Sequence, residues 1–214
     1  MLRADARRNR EQLLAAARNV FVEQGVDAPL DEVARRAGVG IATLYRRFPD
    51  REALMRAVAI DVLERVGGEA RKALAEEPDA FHALLRYMHK AIDFRIAAVM
   101  PALLGHISFE GDEEVRRWRE FAVEPVQRMV AMAQQDGSLS PDIAFGDIGL
   151  MLVRLSRPLP GEFPPELNDR LAHRHVELLV QGLRTAAPLP EPALGLDDLR
   201  NASPESPHNG TASR

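Results

Sequence analysis

The sequence predicts an all-α protein, with a three-helix helix-turn-helix unit at the N-terminus followed by a larger helical body. Three observations lead there. Apolar residues recur at helical spacing through most of the chain. No run of alternating β-branched residues is closed by a hairpin dipeptide. Glycine, proline and aspartate fall at the junctions where one apolar stripe stops and the next begins. At 214 residues the chain is long enough for one or two domains and a sizeable core.

The elements follow in order. Leu13, Ala17, Val20, Phe21 and Gln24 mark a first stripe, stopped by Gly25. Leu30, Val33, Ala34 and Ala37 mark a second, with Asp31 and Glu32 at the end that favours acids and Gly38 closing it after barely two turns. A third short helix runs from about Ile41 to Phe48. Pro49 breaks the chain there, and Asp50 is a good N-cap for a longer helix from Arg51 to about Glu77, with Gly67-Gly68 as its expected bend. Pro78-Asp79 opens a helix reaching about Val99, and Pro101 a short one ending near Gly111. Asp112 to Gln135 reads as helical, with a kink or break expected at Pro125, and Asp136-Gly137 closes it. Ser140-Pro141-Asp142 carries a start signal for a helix to about Arg157. PLPGEFPPE is a proline-rich loop, and a last helix spans about Pro165 to Ala187. Nine or ten helices are expected. The domain organisation read from this is 1–56, 57–187 and a tail, 188–214, whose Pro, Ser, Asn and Gly content predicts disorder.

Composition removes several classes. There is no cysteine, hence no disulfide, thiolate metal site or cysteine nucleophile. No apolar run approaches the ~20 residues of a membrane span. The opening MLRADARRNREQ is charged and lacks the apolar stretch of a signal peptide, so a cytoplasmic location is expected. Net charge is -4, but it is unevenly spread. Residues 1–56 hold eleven arginines against eight acids, whereas the remainder holds 17 basic against 24 acidic residues. A basic head on an acidic body points to a polyanionic partner for the head alone.

The second and third segments meet across Gly38-Val39-Gly40, the arrangement of a helix-turn-helix, whose second helix enters a major groove. At 100° per residue Ile41, Leu44 and Phe48 share the inward face of that helix. Ala42, Thr43 and Arg46 point outward, with Tyr45 and Arg47 at the flanks. Small residues let the backbone approach a groove. Hydroxyls of Thr43 and Tyr45 can donate to phosphate, and an arginine can do so or read a guanine edge. Arg51 sits in the first turn of the next helix, where backbone N–H groups also attract an anion.

Residues 9–56 resemble the DNA-binding domain of the TetR family of bacterial transcriptional regulators. The resemblance runs through LDEVARRAGVGIATLYRRF to DREAL, with Gly38, Val39, Thr43, Leu44, Tyr45 and Phe48 at the positions of the family's signature. It implies that Thr43 and Tyr45 contact phosphate or base edges. It also implies that Arg47 keeps a DNA role where histidine is common, and that Arg51 takes the place of a phosphate-binding lysine. Ala42 and Arg46 complete the expected DNA-facing set. Two departures stand at the second helix: Pro29 and Leu30 replace a threonine, removing a hydroxyl for phosphate, and Asp31 narrows the operators that are tolerated. Arg3, Arg7, Arg8 and Arg10 form an expected loose basic arm for backbone or minor groove.

The resemblance further implies a C-terminal domain that binds a small molecule and dimerises through its last two helices. Met88, Phe94, Met100, Leu104, His106, Trp118, Phe121 and Met151 are the candidate ligand-binding residues, since methionines and aromatics commonly line apolar pockets between helices. His89, His106, Arg95 and Trp118 are the groups suited to orienting a ligand. Ile143, Phe145, Ile148, Leu152 and Leu155, then Leu171, Val176, Leu179, Val180 and Leu183, give the last two helices apolar surfaces, with Gly149 and Gly182 permitting close approach. The implied partners are a near-palindromic operator duplex, a largely apolar effector that releases a repressor from it, and a second copy of the chain. No cofactor and no catalytic residue is expected. There is no GxSxG; Gly38-Val39-Gly40 lacks the third glycine of a dinucleotide fingerprint; Glu113-Glu114 reads as a solvated pair. His173 and His175 are two apart on a helix, facing opposite ways, and His82, His89, His106 and His208 show no compact ligand spacing, so no metal site is expected. A helical protein-binding adaptor without DNA function is the competing reading.

Overall fold

The computed structural model of the chain describes residues 2–95, 99, 100, 103, 111–157, 164–184, 191, 193 and 195. Among them eight helices have described bounds, Val99, Met100 and Leu103 are also helical, and there is no strand. The eight are α1 (Leu2–Gln24), α2 (Leu30–Arg36), α3 (Ile41–Arg47), α4 (Arg51–Glu76), α5 (Ala80–Asp93), α6 (Glu113–Gln135), α7 (Phe145–Leu155) and α8 (Pro165–Leu183). Most of the expected short helix after Pro101, most of the PLPGEFPPE loop, Leu104 and His106 lie outside the described residues, as does nearly all of the expected tail.

Aspartate caps set the starts. Asp50 accepts from the N–H of Ala53 at 2.7 Å, Asp79 from His82 at 2.8 Å, and Asp112 from Glu114 and Val115 at 3.0 and 3.2 Å. Gly25, Gly38 and Gly137 take positive φ (84°, 67° and 76°) just beyond α1, α2 and α6, where a residue without Cβ turns the chain most cheaply.

Four expectations need correction. The basic arm is not loose: α1 is helical from Leu2, and Arg7 pairs with Glu11 one turn on at 2.9 Å. The fifth helix ends at Asp93, not near Val99, because Arg95 turns into the left-handed region (φ 52°). The penultimate helix begins at Phe145 rather than at Ser140-Pro141. Gln134 donates to the carbonyls of Ser140, Pro141 and Ile143 at 3.1, 3.2 and 2.9 Å and holds that segment as a turn; Asp147 then accepts from the N–H of Ala144 at 2.8 Å to start α7. The last helix stops at Leu183.

Neither Gly67-Gly68 nor Pro125 interrupts its helix. Gly67 is there for proximity: a Cβ would lie 2.5 Å from the Phe121 ring and 2.9 Å from its carbonyl oxygen. Pro125 lacks the N–H that would bond to Phe121, four residues earlier. Arg71 supplies the missing donor. Its Nη1 donates to the Phe121 carbonyl, its guanidinium lies 3.7 Å from the centre of the Phe121 ring, and Nη2 reaches Glu124 at 3.2 Å. The α4–α6 contact thus repairs a defect that the sequence writes into α6.

Buried side chains form two clusters. One gathers α1, α2, α3 and α4 up to Val62, with Val99, Leu103 and Val115. The other gathers α4 from Leu63 onward with α5, α6, α7 and α8. The division falls inside α4, so a single 26-residue helix serves both cores.

Candidate nucleic-acid interface

The turn between α2 and α3 follows from its glycines. Gly38, at positive φ, lets the N–H of Val39 return to the carbonyl of Ala34 at 3.0 Å, closing α2. Gly40 is extended and caps α3, accepting from Thr43 N–H at 2.8 Å. Leu44 is wholly buried and Phe48 nearly so, Ile41 packs half-buried beside them, and these fix the rotation of α3. The opposite side consequently faces solvent. Ala42, Arg46 and Arg47 are exposed, Tyr45 is 50% exposed, and Thr43 is half-buried. Tyr45 is an exposed large aromatic in a head that buries Phe21 and Phe48.

Ion pairs decide which arginines contribute to an outward positive field. Glu32 takes two bonds from Arg35 (2.7 and 2.8 Å) and one from Arg36 (2.7 Å), which hold its carboxyl down at about 2. Arg36 also reaches Glu23 at 2.5 Å, tying α2 to α1. Arg18 is paired with the buried Asp61, to which Arg65 adds a bond at 3.0 Å; burial lowers the Arg18 pKa against the pull of Asp61. Arg56 forks onto both oxygens of Asp112 and reaches Glu114 at 2.7 Å. Among the described arginines of the head, Arg8, Arg10 and Arg46 pair with no acid, and Arg51 bonds to backbone carbonyls. Within the head, positive charge without an acid thus stands at the start of α1 and on the outer side of α3.

Arg51 stands in the first turn of α4, as expected, and has backbone partners besides. Its Nη1 donates to the carbonyls of Val26 and, at 2.8 Å, Ala28, so the side chain braces the α1–α2 turn from the start of α4. Sequence position gave no sign of these partners, because both carbonyls belong to a turn more than twenty residues away. At the start of α2 no side chain caps the helix at Pro29, in keeping with the missing threonine.

Of the expected ligand residues that are described, Met88, Met100, Trp118 and Met151 lie in or against the buried cluster of the body. Met88 is fully buried; Met100 and Met151 are partly buried core neighbours; Phe94 caps the C-terminus of α5. Trp118 meets Phe121 edge-on, ring centres 5.1 Å apart, while Phe121 is held by Arg71 and Gly67. A small crevice, about 20 Å³, lies between Ile92, Arg95, Leu155, Ser156, Arg157, Asn168, Asp169 and Ala172, with the unpaired, buried hydroxyl of Ser156 beside it. Two histidines that read as unrelated in the sequence are brought together: His89 of α5 and His173 of α8 face each other with Nδ1 atoms 2.7 Å apart.

An all-helical chain whose third helix is held from behind by buried residues, and whose outer side carries small, hydroxylic and cationic groups, has the build of a helix-turn-helix regulator. Residues 13–58 match the family model of bacterial regulatory proteins, tetR family. An HTH-type transcriptional regulator of Mycobacterium tuberculosis is 33% identical over 135 residues, covering 60% of this chain and 68% of that protein. The regulator UidR of Escherichia coli is 25% identical over 196 residues, covering 87% and 98%. Among solved structures, a TetR transcriptional regulator of Streptomyces coelicolor shares 32% identity with a TM-score of 0.60, covering 83% of this chain and 99% of that one. LfrR of Mycobacterium smegmatis, solved in complex with proflavine, matches in fold at TM-score 0.63 and 19% identity, covering 86% and 98%. The chain belongs to the TetR family of bacterial transcriptional regulators. Its relatives are regulators rather than enzymes, and no described helix is long and apolar enough to cross a membrane.

Proposed function

We propose that the chain is a cytoplasmic, effector-responsive repressor that binds a near-palindromic operator as a homodimer. The observation that carries this is the outer side of α3. Ala42, Thr43, Tyr45, Arg46 and Arg47 lie on it, while Leu44 and Phe48 lock the helix from within. Ala42 and Thr43 at the first turn admit close approach to base edges. Tyr45 and the arginines reach phosphate or guanine. Arg51 acts through the turn it braces and keeps spare donors for phosphate, since a guanidinium carries five N–H groups.

Apolar surface left open in a single chain supports the dimer. Leu150 on α7 and Leu178 and Leu179 on α8 are exposed, and Gly149 and Gly182 face open space. Paired through these helices, two copies would present α3 to half-sites about 34–36 Å apart. The effector is proposed to act on α4, which reaches from the head into the body. It shifts the population of head spacings only by its differential affinity, commonly ~1–3 kcal/mol. That LfrR holds proflavine supports a small molecule as effector class.

Selection of genomic fragments by the purified protein, followed by gel shift of the recovered sites, tests this. The expected result is a palindromic site whose affinity falls steeply with salt. Fragments retained without a shared half-site, or retention indifferent to salt, would remove the operator reading and favour an adaptor.

A further inference from the structure

The His89–His173 contact needs more than two neutral rings. The ring planes are 22° from parallel with centres 5.0 Å apart. His89 Nε2 lies 2.7 Å from Glu177 Oε1, and His173 Nε2 lies 3.1 Å from Asp93 Oδ1. The pairs are regular: His89 and Asp93 are one turn apart on α5, His173 and Glu177 one turn apart on α8, and each histidine addresses the carboxylate of the other helix. An ionised carboxylate only accepts, so both Nε2 atoms must carry hydrogen. The two Nδ1 atoms then hold lone pairs facing each other at 2.7 Å. Such a contact is repulsive unless a positive species lies between them. A metal bound near-tetrahedrally to both nitrogens would need them about 3.3 Å apart, given Zn–N bonds of about 2.0–2.1 Å. A proton fits the distance observed.

We propose that His89 and His173 share one proton, held between Asp93 and Glu177, and that this forms a proton-dependent clasp between α5 and α8. Three hydrogens on two rings satisfy all three bonds. With one fewer, the Nδ1 lone pairs collide or a carboxylate loses its donor. With one more, two N–H groups collide. The clasp therefore acts over an intermediate pH range. Deprotonation at the basic limb removes the hydrogen that the two Nδ1 atoms share, so the clasp is lost as pH rises.

The charged surroundings leave this arithmetic intact. Lys90 of α5 pairs with the other oxygen of Asp93 at 2.9 Å. Arg86 is taken by Glu69 of α4 and by Glu76 and Glu77. On α8, Asp169 faces Arg95 at 3.8 Å, and Arg170, Arg174 and His175 complete the charged set. α6 and α7 contribute apolar side chains to the core shared with α5, among them Met129, Val130, Ile148 and Leu152. Glu177 directly precedes the exposed Leu178, so the clasp also fixes the pose of that side of α8. None of this depends on the chain binding DNA.

The test is histidine ¹⁵N NMR on the full-length protein from pH 5 to 9, with thermal midpoints on the same samples. Two-bond ¹H–¹⁵N spectra should show both Nε2 atoms protonated and both Nδ1 shifts intermediate in mid-range. The rings should lose and gain protons in two steps separated by more than about one pH unit. In His89→Asn, whose amide sits near the former Nδ1 and does not titrate, His173 should titrate in one step. The midpoint maximum seen with pH in the wild type should flatten. Both side chains are partly exposed, 24% and 34%, so the variants are expected to fold. Independent single-step titration of the two rings, unmoved by His89→Asn, would overturn the shared proton. So would a stoichiometric rise in midpoint on adding Zn²⁺, with release of one proton, which would make a metal the occupant.

Discussion

Arg47 and Tyr45 project from the same short helix, yet their proposed shares in binding differ. Arg47 brings a full charge and a planar fork, whereas the Tyr45 hydroxyl brings one neutral donor. Arg47→Ala is expected to weaken operator binding about tenfold or more, and Tyr45→Phe by less, read by gel shift at fixed salt. Arg51 behaves differently. Because its guanidinium braces the carbonyls of Val26 and Ala28, Arg51→Ala should lower the urea midpoint, by about 2 kcal/mol of stability, even without DNA. A variant of unchanged stability but reduced salt slope would return Arg51 to a purely phosphate role. These cases show what a sequence reveals of a site. The outer positions of α3 were legible because a seven-residue helix with Leu44 and Phe48 behind it leaves little choice of rotation. The Arg51 bonds and the His89–His173 contact were not, because they join residues 23 and 84 positions apart through turns and helix packing that no local pattern encodes.

At the scale of elements, α4 is held from two sides, and each hold has its own test. Against α6 the approach is steric. Gly67→Ala would set a methyl group against the Phe121 ring and carbonyl, and is expected to cost about 1–3 kcal/mol in chemical denaturation, whereas Gly68→Ala meets nothing within 4 Å and should be tolerated. Nearer the head the hold is electrostatic. The Arg56 fork, first among several bonds, holds the Asp112 carboxyl at about 2. A depressed carboxylate pKa means stability present above the unfolded value and lost as pH falls toward 2. The stability gap between wild type and Asp112→Asn should accordingly be full near neutrality and close between about pH 4 and pH 2, followed by circular dichroism. Helix ends were readable where aspartate caps or glycine stops stood in the sequence. They were misread where a tertiary donor overrode the signal, as Gln134 does at Ser140-Pro141, and at Arg95, a positive φ on a residue that does not announce one.

For the whole molecule the sequence conveyed the helical class and the basic head, since periodicity and charge asymmetry are additive over long stretches. The faces of α7 and α8 were less legible. Ile148, Leu152, Val176, Val180 and Leu183 turn inward, while Leu150, Leu178 and Leu179 remain outside; in an all-helical body several apolar stripes compete for the same core. Light scattering at micromolar concentration should give twice the 23.7 kDa chain mass, and Leu178→Glu should shift it toward the single-chain value without lowering helicity. A wild-type mass of one chain would remove the dimer from the proposed mechanism.

A rod shared by two cores also governs how this regulator can be taken apart. A fragment ending at Arg56 would strip Val58, Ala59 and Val62 from the DNA-facing module and leave its apolar underside bare. Chimeras that exchange operator specificity with a relative should therefore be spliced one or two turns further along, beyond Val62. The donor sequence then keeps its own footing, and only the rear half of the rod has to suit a foreign sensor.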